Sequence, residues 1–201
     1  MLDSPHTYRK GKPALNVLKS DPRAKIFGQT AHRDPQIGFS FWRPRNWKRQ
    51  DLQDPRVLDQ RAVAYYPEDD PRTGFYVLAR DLGPGLGEPI AASDLPDLRA
   101  GLLEGLQDLP DFHLLSEVEI GRESALGLEF TFTFGLDGEP CKRCMRFLYR
   151  GHQQFTLYGQ GVPPAEYEVF VNVYDWMYLT FTFSDLLEKL DALHSIAPPD
   201  R

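Results

Sequence analysis

Hydrophobic and polar positions begin to alternate at Gly38. Phe39 and Phe41 project one way, Ser40 and Trp42 the other, and a period of two makes a strand. Pro44 has no N–H to give to a ladder, so the strand stops there. Trp47, three residues on, is placed to fold back over the end of the core. AVAYY (62–66) and GFYVLARDL (74–82) read as the next two strands, joined by the turn-forming PEDDPRTG. The glycines and prolines of 82–89 make a loop. The period then changes to that of a helix over 93–107, with Leu95, Leu98, Leu102, Leu103 and Leu106 on one face. Ser93 or Asp94 caps it, and Pro96 is tolerated in the first turn. Gly101 and Gly105 each weaken it by about 1 kcal/mol relative to Ala, and as small residues they permit close approach to a sheet.

Four further alternating stretches, 112–121, 124–135, 141–151 and 153–161, have short connections and predict an antiparallel meander. Phe130, Phe132 and Phe134 then share a face with Cys141, Met145, Phe147, Phe155 and Leu157. Keeping those faces aligned calls for a three-residue loop, Gly151 to Gln153, in the last hairpin, because a one-residue slip inverts every side chain. Asp137-Gly138 is the turn signal of the hairpin before it. On the opposite face His113 joins Glu117, Glu119 and Glu129, and Glu129 lies near Arg146 as an exposed ion pair. Residues 163–178 fit both periods. Pro163 and Pro164 followed by Glu166 and Glu168 suit a helix start, and the spacing of Tyr167, Phe170, Val171, Tyr174, Met177 and Tyr178 favours the helix. LTFTF (179–183) reads as a last strand and 184–197 as a capped amphipathic helix.

Gly38-Phe39-Ser40-Phe41, with Pro44 and Trp47 after it, resembles the strand entry G-F-S-F-x-x-P-x-x-W of the PsbP-like proteins. PsbP-type proteins belong to the photosynthetic oxygen-evolving complex. Their fold also occurs in the yeast nuclear-import factor that binds the GTPase Ran and in bacterial relatives, many of unknown function. A helix before a four-strand meander, then a long helix closing into the aromatic strand Leu179-Thr180-Phe181-Thr182-Phe183, is similar to the same family. The resemblance covers roughly residues 36–183. It implies an α+β fold: a central antiparallel sheet of about six to seven strands with helices packed on both faces, an α/β/α sandwich. It also implies a binding role, since the studied members are adaptors and assembly partners, and it supplies no catalytic motif. Many bacterial members carry a lipoprotein signal that this chain does not show. The expected organisation is a basic N-terminal extension (1–35), a PsbP-like domain (36–183) and a C-terminal helix and tail (184–201).

Charge adds one feature. The net charge of −6 divides into +8 over residues 1–50 and −14 over the rest. A basic arm before an acidic body fits an anionic partner such as nucleic acid, or an arm that lies on its own body. No apolar run is long enough to cross a bilayer, and MLDSPHTYRKGKP has no apolar core of a secretory signal. With only two cysteines, close together, the expected compartment is the reducing cytoplasm.

Little in the sequence carries chemistry. Cys141-Lys-Arg-Cys144 is a CxxC with no second pair of ligands, and an odd step along a strand puts the thiols on opposite faces. GPGLGEP lacks the last glycine and the helix start of a dinucleotide fingerprint, and there is no P-loop, G-x-S-x-G or H-E-x-x-H. No catalytic residue, cofactor or metal ligand is expected, and the core is expected to fill the space between sheet and helices without an organised cavity. The candidate partner-binding residues are Trp42, Arg43, Arg45, Trp47, Lys48 and Arg49, where cations flank aromatics as in protein interfaces. The function expected is that of a non-catalytic accessory or assembly protein that binds a protein partner within a larger complex. Two alternatives stand beside it: an anionic-ligand or nucleic-acid binding module using the basic arm, and an enzyme with an unrecognised site, which requires a deep pocket with converging polar groups.

Overall fold

The computed structural model describes residues 21–35, 37–52, 60–67, 70–83, 90–122 and 125–183. In chain order the elements are β1 (Gln29–Asp34), β2 (Phe39–Pro44), β3 (Lys48–Asp51), β4 (Gln60–Tyr66), β5 (Gly74–Asp81), α1 (Leu95–Gln107), β6 (His113–Arg122), β7 (Ala125–Leu136), β8 (Glu139–Arg150), β9 (Gln153–Gly161), α2 (Pro164–Thr180) and β10 (Thr182–Phe183). The helix expected over 184–197 lies outside the described residues.

Among the described residues the strands form two antiparallel sheets rather than one. Seven run in the order β3-β4-β5-β9-β8-β7-β6, and β1, β2 and β10 form a separate sheet of three. The GFSF strand therefore does not extend the large sheet. It packs across it: Phe39 stands edge-on to Phe155, Phe41 edge-on to Tyr65, and both stack on Phe181. Burying two Phe rings against a sheet face removes more apolar surface from water than pairing at an edge would. Its partner β1 lies within the stretch read as an extension, and the two pair from Gln29–Pro44 to Asp34–Phe39.

Most elements match their periodicity. β2 ends at Pro44, Trp47 is buried against the edges of Phe170 and Tyr174, and the 163–178 segment is helical. Within α2 it is Val173 that is buried, with Val171 half-exposed. The last strand is shorter than expected. Leu179 and Thr180 continue α2, leaving Thr182 and Phe183 to pair with β2.

The hairpin between β8 and β9 corrects the expected faces. Arg150 pairs with Gln153, so the turn is the two residues Gly151 and His152, with Gly151 at φ 58°. Cys141, Met145 and Phe147 lie with Phe130, Phe132 and Phe134 as expected, in a cluster completed by Leu95 and Leu106 of α1. Phe155 and Leu157 point the other way, into the cluster of Phe39, Phe41, Cys144, Phe170, Tyr174 and Tyr178. Both faces of β9 are buried beside apolar neighbours, so alternation alone could not choose between registers, and the glycine turn did.

A second irregularity splits the expected polar face. The β6–β7 pairing shifts between Leu114 and Ser116, so His113 opposes Thr133 while Glu117 opposes Phe130 and Glu119 opposes Leu128. His113 and Glu129 keep one face; Glu117 and Glu119 take the other, where Glu117 pairs with Arg99 of α1.

Candidate functional site

The stretch from Trp42 to Arg49 spans the end of β2, a turn and the start of β3. The structure separates the expected partner-binding residues into different environments. Trp42 is 46% exposed, while Trp47 is buried and belongs to the core. Arg43 lies over the Tyr65 ring, 4.7 Å from its centroid, and donates to the Pro44 carbonyl at 3.2 Å. Arg45 and Lys48 are exposed, and Arg49 forms an exposed pair with Asp51 at 2.7 Å.

The backbone at Trp42 is held on both sides. Its backbone N–H donates to Thr180 Oγ1 at the end of α2 at 3.1 Å, and the same residue pairs with Ala31 of β1. Leu179, beside that threonine, is 72% exposed, and Phe27, just before β1, is 64% exposed. Neither exposure was legible in the sequence: Phe27 lies outside any periodic stretch, and Leu179, which alternation places in the last strand, belongs to the end of α2.

The described part of the basic arm is tied to the body. Arg23 pairs with Asp21 at 2.7 Å and with Glu166 of α2 at 2.9 Å, and its guanidinium lies over Phe170. The Glu129–Arg146 pair forms, but it is partly buried rather than exposed, with Arg146 3.8 Å from the centroid of the Tyr178 ring.

The expected lack of an organised cavity is not met. A groove of about 790 Å³ lies between α1 and the ends of β5, β8 and β9, and a smaller one of about 240 Å³ adjoins it, the two sharing Arg80, Leu102 and Gln154. Across three neighbouring strands, Arg80, Gln154 and Tyr149 stand in one register row. Arg80 Nε donates to Gln154 Oε1, and Gln154 Nε2 donates to the Tyr149 hydroxyl at 2.9 Å. Burial pushes the Tyr149 hydroxyl above the usual tyrosine range, so it stays protonated.

Cys141 and Cys144 are buried free thiols in different clusters, on opposite sides of the sheet. Burial pushes Cys141 up to about 11, against a smaller opposing pull from Arg143. Among the described residues no three His, Cys, Asp or Glu side chains come together in a way that could hold a metal ion. Among them also, no helix is long and apolar enough to cross a membrane.

No protein-family model and no curated protein matches the chain by sequence. Solved structures do. The solution structure of cyanobacterial PsbP (CyanoP) from Synechocystis sp. PCC 6803 superposes with a TM-score of 0.56 at 12% identity, over 83% of this chain and 98% of that one. The Saccharomyces cerevisiae Ran-binding protein Mog1p gives 0.48 at 10% identity, over 78% of this chain and 96% of that one. Protein PA94 of Pseudomonas aeruginosa, of unknown function, gives 0.47 at 15% identity, over 86% and 99%. The chain has the PsbP-like fold, as the CyanoP likeness shows.

Proposed function

We propose that this protein is a non-catalytic accessory module that docks a protein partner within a larger complex, through the surface around Trp42. The observation that carries this is the exposed indole itself. Large aromatics dominate binding at protein interfaces, and the cost of ordering is smaller where the backbone that carries them is already ordered. Trp42 is fixed through its backbone by β1 and by Thr180, and exposed Leu179 and Arg45 extend the surface at either end. Trp47 supports the site from within and makes no contact with the partner. The layering that suits this role is an α/β/α sandwich, with α1 on the Phe130 face of the large sheet and α2 on the Phe155 face; the separate clusters of the two helices support it. A reducing, cytoplasmic setting suits the two buried free thiols.

The reading as an anionic-ligand module draws less support. Arg23 and Arg49, two of the arm's cations, already meet carboxylates of the same chain.

The experiment is affinity capture from the native host with the wild type and with Trp42→Ala and Leu179→Ser, both surface changes that leave the melting temperature within a degree or two of wild type. The expected result is one stoichiometric partner held by the wild type at moderate salt and lost by Trp42→Ala. A partner retained equally by both variants overturns the assignment of this surface. Capture that collapses steeply as salt rises favours the anionic-ligand reading instead.

A further inference from the structure

We infer that the groove between α1 and the large sheet is a binding site for a small amphipathic monocarboxylate, an acid with one anionic head on an apolar body. This site is separate from the Trp42 surface.

The hydrogen bonds along the row Arg80–Gln154–Tyr149 run in one direction. A guanidinium only donates, so the atom of Gln154 that meets Arg80 Nε is the amide oxygen. Its nitrogen therefore faces Tyr149, and the tyrosine hydroxyl accepts. The hydroxyl proton is left over. Tyr149 is 3% exposed and lines the groove, and among the described residues nothing accepts that proton. A buried donor without an acceptor costs about 1–3 kcal/mol, which a ligand oxygen recovers.

Arg80 adds charge to the same place. Its Nε is committed to Gln154, a side chain only 6% exposed, so the guanidinium plane is oriented. Among the described residues its two terminal nitrogens meet no carboxylate and no carbonyl. A guanidinium with free terminal donors and a hydroxyl donor along one wall of the groove suit an anionic, oxygen-bearing head such as a carboxylate.

The remaining wall sets the rest of the ligand. Leu82, Ile90, Leu98 and Leu102 supply apolar surface for a hydrocarbon or aromatic body. Asp94 and Asp97 at the start of α1 also line the groove, and neither forms an ion pair with Arg80. Asp94 instead accepts from the Ala91 N–H at 2.8 Å. Two carboxylates on the opposite wall penalise a second negative charge, so a phosphate dianion fits less well than a carboxylate.

The test uses the full chain and octanoate as probe, with binding read by calorimetry and by the shift of the carboxyl carbon in NMR. Octanol and octyl phosphate serve as comparisons. The expected result is saturable binding of octanoate that weakens about tenfold or more in Arg80→Met and several-fold in Tyr149→Phe, with octanol and octyl phosphate both weaker than octanoate. Arg80 is exposed, so Arg80→Met decides the matter even if Tyr149→Phe fails to fold. No saturable octanoate binding, equal binding by Arg80→Met, or tighter binding of octyl phosphate overturns the inference. Partner capture through Trp42 is unaffected by any of these outcomes.

Discussion

The imidazole of His32 and the hydroxyl of Tyr65 meet at 2.8 Å across the gap between the two sheets. His32 belongs to β1, and Tyr65 to β4. Phe39 and Phe41 close around the ring at 5.5 and 5.1 Å between centroids, and the second ring nitrogen, Nε2, is buried without a partner among the described residues. Burial is the main reason that His32 is held down to about 4. The cations Arg49 and Arg43 add to it, and Asp34 and Asp51 oppose.

The burial of His32 predicts a pH dependence with a definite sign. The unfolded chain takes up the His32 proton near pH 6.5, the folded one only near 4, so protons favour unfolding between those values. The contribution is fully present above pH 6.5 and is lost as pH falls toward 4, by about 3 kcal/mol at most. Urea unfolding of wild type and His32→Gln at pH 7.5 and pH 4.5 checks this. The variant is less stable at pH 7.5, and the gap narrows at pH 4.5. A gap independent of pH means that His32 titrates normally.

The hydroxyl of Tyr178 ties α2 to two strands. It donates to the Cys144 carbonyl at 2.7 Å and accepts from the Gly159 N–H at 2.9 Å. Tyr178→Phe keeps the ring under Arg146 but leaves a buried N–H and a buried C=O without this partner. The expected loss is about 1–3 kcal/mol in denaturant unfolding, with the far-UV spectrum unchanged.

Two glycines should respond in opposite directions. A Cβ at Gly161 would meet the Tyr167 backbone nitrogen at 2.0 Å, so Gly161→Ala must push α2 away from β9 and lowers the melting temperature sharply. A Cβ at Gly105 meets nothing within 4 Å, so the close approach expected there does not occur. Gly105→Ala should then raise stability by about 0.5–1 kcal/mol through helix propensity. Thermal melts of the two variants beside wild type give both signs in one experiment.

The thiols offer a third kind of readout. Cys141 and Cys144 are buried on opposite faces, and burial holds both thiols protonated at neutral pH. A thiol reagent at pH 8 should label neither in the native protein and both in denaturant. Rapid labelling of either one in the folded state means that its side of the sheet opens.

Trp47 shows how far the chain itself reached. A proline that cannot continue a ladder, followed by an indole three positions on, is enough to place that indole on the core, because backbone chemistry and solvent aversion act locally. The same local rules determined the meander, the Asp137-Gly138 turn and the separation of the two cysteines. What tertiary structure decided were choices among arrangements of similar local cost. Phe155 and Leu157 are apolar on a strand buried on both sides, so only the two-residue turn at Gly151 told them which core to enter. β2 can satisfy its backbone at a sheet edge or across a sheet face, and only the packing of Phe39 and Phe41 against Phe155, Tyr65 and Phe181 selected the face. The row Arg80–Gln154–Tyr149 left no mark in the sequence at all, because its members come from three strands that become neighbours only once the sheet has closed.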